Sequence, residues 1–97
     1  MSVLAHIVYI EISLQIPHAQ SLKEKRRHVK SMRDRLRAGF NISVAEIGSQ
    51  DEWQHSVIGA VMISHDKHYL QLQVSRLENF LLEFRDVVLA GIDVQWL

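Results

Sequence analysis

Apolar residues alternate along the first segment of the chain. Leu4, Val8, Ile10, Ile12, Leu14 and Ile16 share one face of an extended backbone, with His6 the polar exception on that face. A period of two in a stretch rich in Val and Ile predicts a strand over residues 3–16. Pro17 ends its ladder, because proline has no N–H to donate. The odd positions Val3, Ala5, Ile7 and Tyr9 are apolar as well, so this strand is apolar on both faces. The period then changes. Leu22, Val29, Met32, Leu36 and Phe40 recur at helical spacing and form one stripe. Ser21 with Glu24 three residues later fits a capping box, and Gly39 marks the expected end of the helix. Strands follow over 41–48 and 53–64, joined by the polar turn GSQDE. A second helix opens at Ser64 or Asp66 and carries the stripe Leu70, Val74, Leu77, Leu81 and Phe84. The last strand, 87–97, alternates Ile92, Val94 and Trp96 against Asp93 and Gln95.

The order is βαββαβ. Right-handed crossovers and two helices on one side give a four-stranded antiparallel sheet of ferredoxin-like α+β type. With 97 residues, one proline and no low-complexity run, residues 1–97 are expected to form a single domain. One sheet face lies under the helices and the other is free. Val3, Ala5, Ile7 and Tyr9 on the first strand, with Val57, Val61 and Ile63 on the third, make that free face apolar. An uncovered apolar patch points to a partner. The simplest is a second copy of the chain, so the expectation is a homo-oligomer.

Charge changes the picture next. The chain has eleven basic and eleven acidic residues, yet eight of the basic ones lie between Lys23 and Arg37, against only Glu24 and Asp34. In a helix projection Arg26, Arg33 and Arg37 border the apolar stripe, Lys30 and Lys23 lie slightly further round, and Arg27 lies beyond them. These six share one flank, while Arg35 and Lys25 lie off it. A helix of about 18 residues spans roughly 27 Å, long enough to meet several phosphates of a nucleic-acid backbone. Arginine's planar fork suits bidentate phosphate contact. The competing reading is a solvated charged face whose long stems cover the core edge. Overall neutrality gives that reading weight.

Other chemistry is thin. No cysteine is present, which excludes disulfides, thiolate metal sites and thiol nucleophiles. His65 and His68 stand at metal-ligand spacing at the start of the second helix, but a third ligand would have to come from elsewhere. Glu46, Asp51 and His55 gather carboxylates and an imidazole near one turn, as polar hairpins commonly do, with Trp53 expected to pack at a sheet edge. RNA stacking on the sheet in the manner of RNA-recognition domains needs aromatics on the central strands. SVIGAVMIS has none, and the first strand offers only Tyr9. The loop QIPHAQ lacks the glycines of an acylphosphatase phosphate cradle. The apolar N-terminal stretch has no basic leader and is interrupted by His6 and Glu11, so it is read as neither signal peptide nor membrane span. A cytoplasmic, non-enzymatic protein without a cofactor is the expectation.

Three separated segments carry a family likeness. These are Ser21, Leu22, Lys23, Lys25 and Arg26; then Arg35, Leu36, Phe40, Asn41, Ser43, Val44, Ala45 and Glu46; then Asp51, Trp53 and Gln54. Together they resemble the YlxP-like family of small bacterial proteins, a domain of unknown function. The resemblance implies a ferredoxin-like fold and a gene neighbourhood shared with translation initiation and ribosome-binding factors. It therefore implies a part in ribosome maturation or binding of ribosomal RNA or the small subunit. Arg26, Lys30, Arg33 and Arg37 are the expected main phosphate contacts, with Lys23 and Arg27 extending them.

Overall fold

The computed structural model describes residues 4–97. The elements run β1 (His6–Gln15), α1 (Leu22–Gly39), β2 (Ser43–Gly48), β3 (His55–Ser64), α2 (Lys67–Glu83) and β4 (Val88–Trp96). The sheet order is β2-β3-β1-β4, and every neighbouring pair is antiparallel. This is the ferredoxin-like α+β arrangement that the pattern predicts. β1 begins at His6 rather than at residue 3, so Ala5 precedes the strand and Val3 lies outside the described residues.

The even positions of β1 form the centre of the core. Val8, Ile10, Ile12, Leu14 and Ile16 are fully or almost fully buried, together with Ile58, Ala60 and Met62 of β3. Both helices close over that face. α1 contributes Val29, Met32 and Leu36, and α2 contributes Leu70, Leu77 and Leu81. Both helix stripes thus work as their spacing predicts, with Val74 and Phe84 half-buried at the margin.

Caps fix where the helices begin. The Ser21 hydroxyl accepts from the Glu24 N–H at 3.0 Å, and the Glu24 carboxylate accepts from the Gln20 N–H at 3.0 Å. The box is therefore one residue wider than the usual reciprocal form, in which the carboxylate returns to the cap residue itself. Asp66, not Ser64, caps α2 by accepting from Tyr69 N–H. α1 closes at Phe40, whose N–H donates to the Leu36 carbonyl at 2.9 Å, and Gly39 is its last helical residue.

Among the described residues no helix covers the opposite sheet face. Ile7, Tyr9 and Val57 are half-buried there, while Val61 and Ile63 are exposed. Gly59 sits between them beneath two side chains: a Cβ at this position would meet Ile47 at 3.2 Å and Tyr9 at 3.4 Å. Glu11 and Asp93 face each other directly across the β1–β4 pair on this side. Desolvation first, and then the hydrogen bond that Tyr9 donates to Glu11, hold the Tyr9 hydroxyl above its ordinary pKa.

Candidate functional site

α1 sorts its cations by neighbour. Lys30 donates to Asp34 at 2.8 Å, and Arg37 reaches the same carboxylate at 3.9 Å while donating to the Val44 carbonyl at 3.1 Å. The Lys30 hydrogen bond, helped by the charges of Lys30, Arg37 and Arg33, holds the Asp34 carboxyl below the usual aspartate range. Arg33 is half-buried, and its Nε is enclosed without an acceptor. Arg35 stacks over the Phe84 ring at 5.6 Å. Lys23, Arg26 and Arg27 are exposed and, among the described residues, form no salt bridge. With Lys30, Ser21 and Glu24 they line one open depression of about 620 Å³. The six cations of the predicted flank therefore divide into a free N-terminal group, Lys23, Arg26 and Arg27, and a C-terminal group in which Lys30 and Arg37 are engaged by Asp34 and Arg33 is half-buried.

The eighth cation is the surprise. Lys25 is completely buried. Its ammonium donates to the Ser49 carbonyl at 2.5 Å and the Gln50 carbonyl at 3.3 Å, and pairs with Glu46 at 3.1 Å. Glu46 also accepts from the buried Ser56 hydroxyl. The signal was present in the chain: at about 100° per residue, Lys25 lies roughly 40° from Val29, inside the apolar stripe rather than beside it. An ammonium can occupy such a position only when its donors are satisfied.

This cluster continues around the β2–β3 turn. Ser49 has a φ of 58°, in the left-handed region, which turns its carbonyl to Lys25 while its hydroxyl meets His55 Nδ1 at 2.8 Å. The other ring nitrogen of His55 meets the Ser13 hydroxyl at 2.9 Å on the free face. Gln54 fastens the same end of the sheet, donating its amide to the Ala19 carbonyl and accepting from Ile16 N–H. Lys25, Glu46 and Gln54, one from each family-like segment, thus hold the start of α1, the end of β2 and the turn together. The structure gives these residues a structural role.

That arrangement also separates the candidate acid–base groups. Glu46 lies on the helix side of the sheet with Lys25, and His55 lies on the free side with Ser13. Asp51 is exposed, and Trp53 projects from the turn at 53% exposure instead of packing at the sheet edge. His65 and His68 are exposed at the start of α2, and among the described residues no group of three or more His, Cys, Asp or Glu could hold a metal. Among the described residues no helix is long and apolar enough to cross a membrane.

Residues 7–94 match a family model described as a protein of unknown function, DUF503. The chain is 31% identical over 90 residues to the uncharacterized protein YlxP of Bacillus subtilis (strain 168), covering 93% of this chain and 98% of that one. Among solved structures it resembles the de novo designed protein Foldit4, with a TM-score of 0.54 and 16% identity over 97% of each chain. The last likeness concerns the fold alone.

Proposed function

We propose that this chain, which belongs to the DUF503 family, is a non-enzymatic cytoplasmic accessory protein that binds ribosomal or other structured RNA through the basic flank of α1. The observation that carries this reading is the free N-terminal group. Lys23, Arg26 and Arg27 project into solvent beside one depression, and their acidic neighbour Glu24 is engaged at the helix cap. A phosphate backbone supplies the regularly spaced acceptors that these side chains lack. Arg33 and Arg37 contribute long-range field, and the closest contacts move toward the start of the helix.

The test is a salt titration of binding to purified small-subunit ribosomal RNA and to an unrelated RNA hairpin. Each single-strand phosphate neutralised contributes roughly 0.7 to the slope of log affinity against log salt. The expected slope reports about three or more contacts, and Arg26→Ala with Arg27→Ala reduces it by about 1.4. Unchanged affinity in the double variant overturns the reading.

A second reading is favoured by the free sheet face. Ile47, Val61 and Ile63 are exposed together on β2 and β3, at 48%, 38% and 53%. Self-association centred on that half would complete the apolar set of Ile7, Tyr9, Val57, Val61 and Ile63. It would also keep the Glu11 and Asp93 carboxylates of two copies apart. Sedimentation should then show a mass that rises with concentration and falls to the monomer in Val61→Asp. A mass that is constant over a hundredfold concentration range removes this reading.

A further inference from the structure

A second cavity lies between the helices, away from the free cations. It has about 350 Å³ and is lined by Gly39 and Phe40 at the end of α1 and by Arg76, Asn79, Phe80 and Glu83 of α2. The four α2 residues fall at i, i+3, i+4 and i+7, so they share one helical face. Phe40 meets Phe80 edge to face with centroids 6.1 Å apart, and the Arg76 guanidinium lies 5.3 Å from the centroid of the Phe40 ring. Arg76 Nη1 donates to the Gln73 amide oxygen at 3.1 Å, which helps hold the guanidinium in place. The guanidinium therefore covers one face of the Phe40 ring and offers its own outer plane to the cleft, with Phe80, an amide and a carboxylate completing the lining.

Gly39 supplies an independent observation. Its φ is not positive, so the backbone does not require glycine there. A Cβ would meet nothing within 4 Å. Gly39 is the last helical residue, so the cost of glycine in a helix interior does not apply to it. The space around it is open on that side of the cleft.

The chemistry of the lining narrows the ligand. Glu83 at the rim disfavours a phosphate, so the occupant is an uncharged plane. Carboxylates and amides read the amino-bearing edges of bases, and phenyl and guanidinium planes stack on their faces. We propose that this cleft holds one unpaired, amino-bearing nucleobase of an RNA strand whose backbone lies against the free cations of α1. This inference rests on the RNA reading above and specifies where that RNA would be single-stranded. Arg27, the free cation nearest the cleft along the chain, and Gly39 are about 18 Å apart along the helix axis and about 120° apart around it, and the strand would cross the solvent face of α1 between them.

The experiment compares two RNAs of equal length, a blunt duplex and a hairpin with an unpaired cytosine-rich loop, with a uracil loop as the edge control. Two protein variants separate the sites. Gly39→Gln places a side chain beside the cleft from a position with open space around it. Arg26→Ala with Arg27→Ala removes free cations. The expected result is that Gly39→Gln weakens loop binding about tenfold or more, leaves duplex binding and the salt slope unchanged, and reduces the preference for cytosine over uracil. Asn79→Ala, at an exposed position, should reduce the same preference. A 2-aminopurine placed in the loop should be quenched by the native protein and not by Gly39→Gln. If the cation variant weakens both RNAs while Gly39→Gln changes neither binding nor quenching, the cleft proposal is overturned and the RNA reading stands. If neither RNA binds the native protein, both fail.

Discussion

A single lysine shows how residue-scale energetics and sequence pattern diverge. Lys25 belongs by position to the apolar stripe and by chemistry to the surface, and the conflict is settled by four oxygens: two backbone carbonyls, Glu46, and Ser56 hydrogen-bonded behind Glu46. Removing one partner of a buried pair costs about 3–5 kcal/mol, because the survivor loses its counter-charge without regaining water. Lys25→Met should therefore lower the denaturation midpoint strongly, and Glu46→Leu added to it should recover much of the loss. Equal losses in the single and double variants would contradict that account. Asp34 is the exposed contrast. Its folded pKa lies below the unfolded one, mainly through Lys30, so the stability it adds is present above about pH 4 and disappears as pH falls through the depressed value. A carboxyl NMR titration should find its midpoint below the ordinary aspartate range, and Lys30→Met should return it upward. Because the pair is exposed, the accompanying change in stability is small.

Elements were more legible than side-chain partners. Two apolar stripes at helical spacing and one segment apolar on both faces suffice for two helices and a central strand, because burial rewards those periods directly. The cap at Ser21 was equally readable, since a hydroxyl followed three residues on by a carboxylate has a local mechanism. Ser21→Ala should cost about 1 kcal/mol, measured by chemical denaturation, with the α1 amides fraying first. A cost near zero would mean that the wider Gln20–Glu24 bond suffices alone. The boundaries at β1 and β3 shifted because register and turn geometry set them. His55 pairs with Gln15, and Gln54 is used to tie the turn to Ile16 and Ala19. In the same way, the α1 cations shared a flank in projection, yet their neighbours divided them. Asp34 and the Val44 carbonyl engage one end, and solvent meets the other. Sequence spacing contains direction around a helix, but no distance to the next element.

The whole molecule is neutral and strongly polarised, with a sequence pI of about 7.0. Such a chain should be retained on a cation exchanger at pH 7 in low salt despite zero formal net charge, because binding follows the local field rather than the sum. Arg26→Glu with Arg27→Glu should abolish retention, and retention unchanged by them would place the dominant field elsewhere. The sheet order has a consequence in time as well as in space. β1 is the inner strand between β3 and β4, and it is made before either of them. Its Ile7 and Tyr9 side and its Val8, Ile10 and Ile12 side both emerge from synthesis without neighbours. The last neighbour, β4, follows about 80 residues later. At about 5–20 residues per second, this inner strand waits several seconds for its second edge to be paired. Until α1 and β3 follow, the nascent chain presents a two-faced apolar ribbon, and one edge of residues 6–15 stays open until Trp96 arrives.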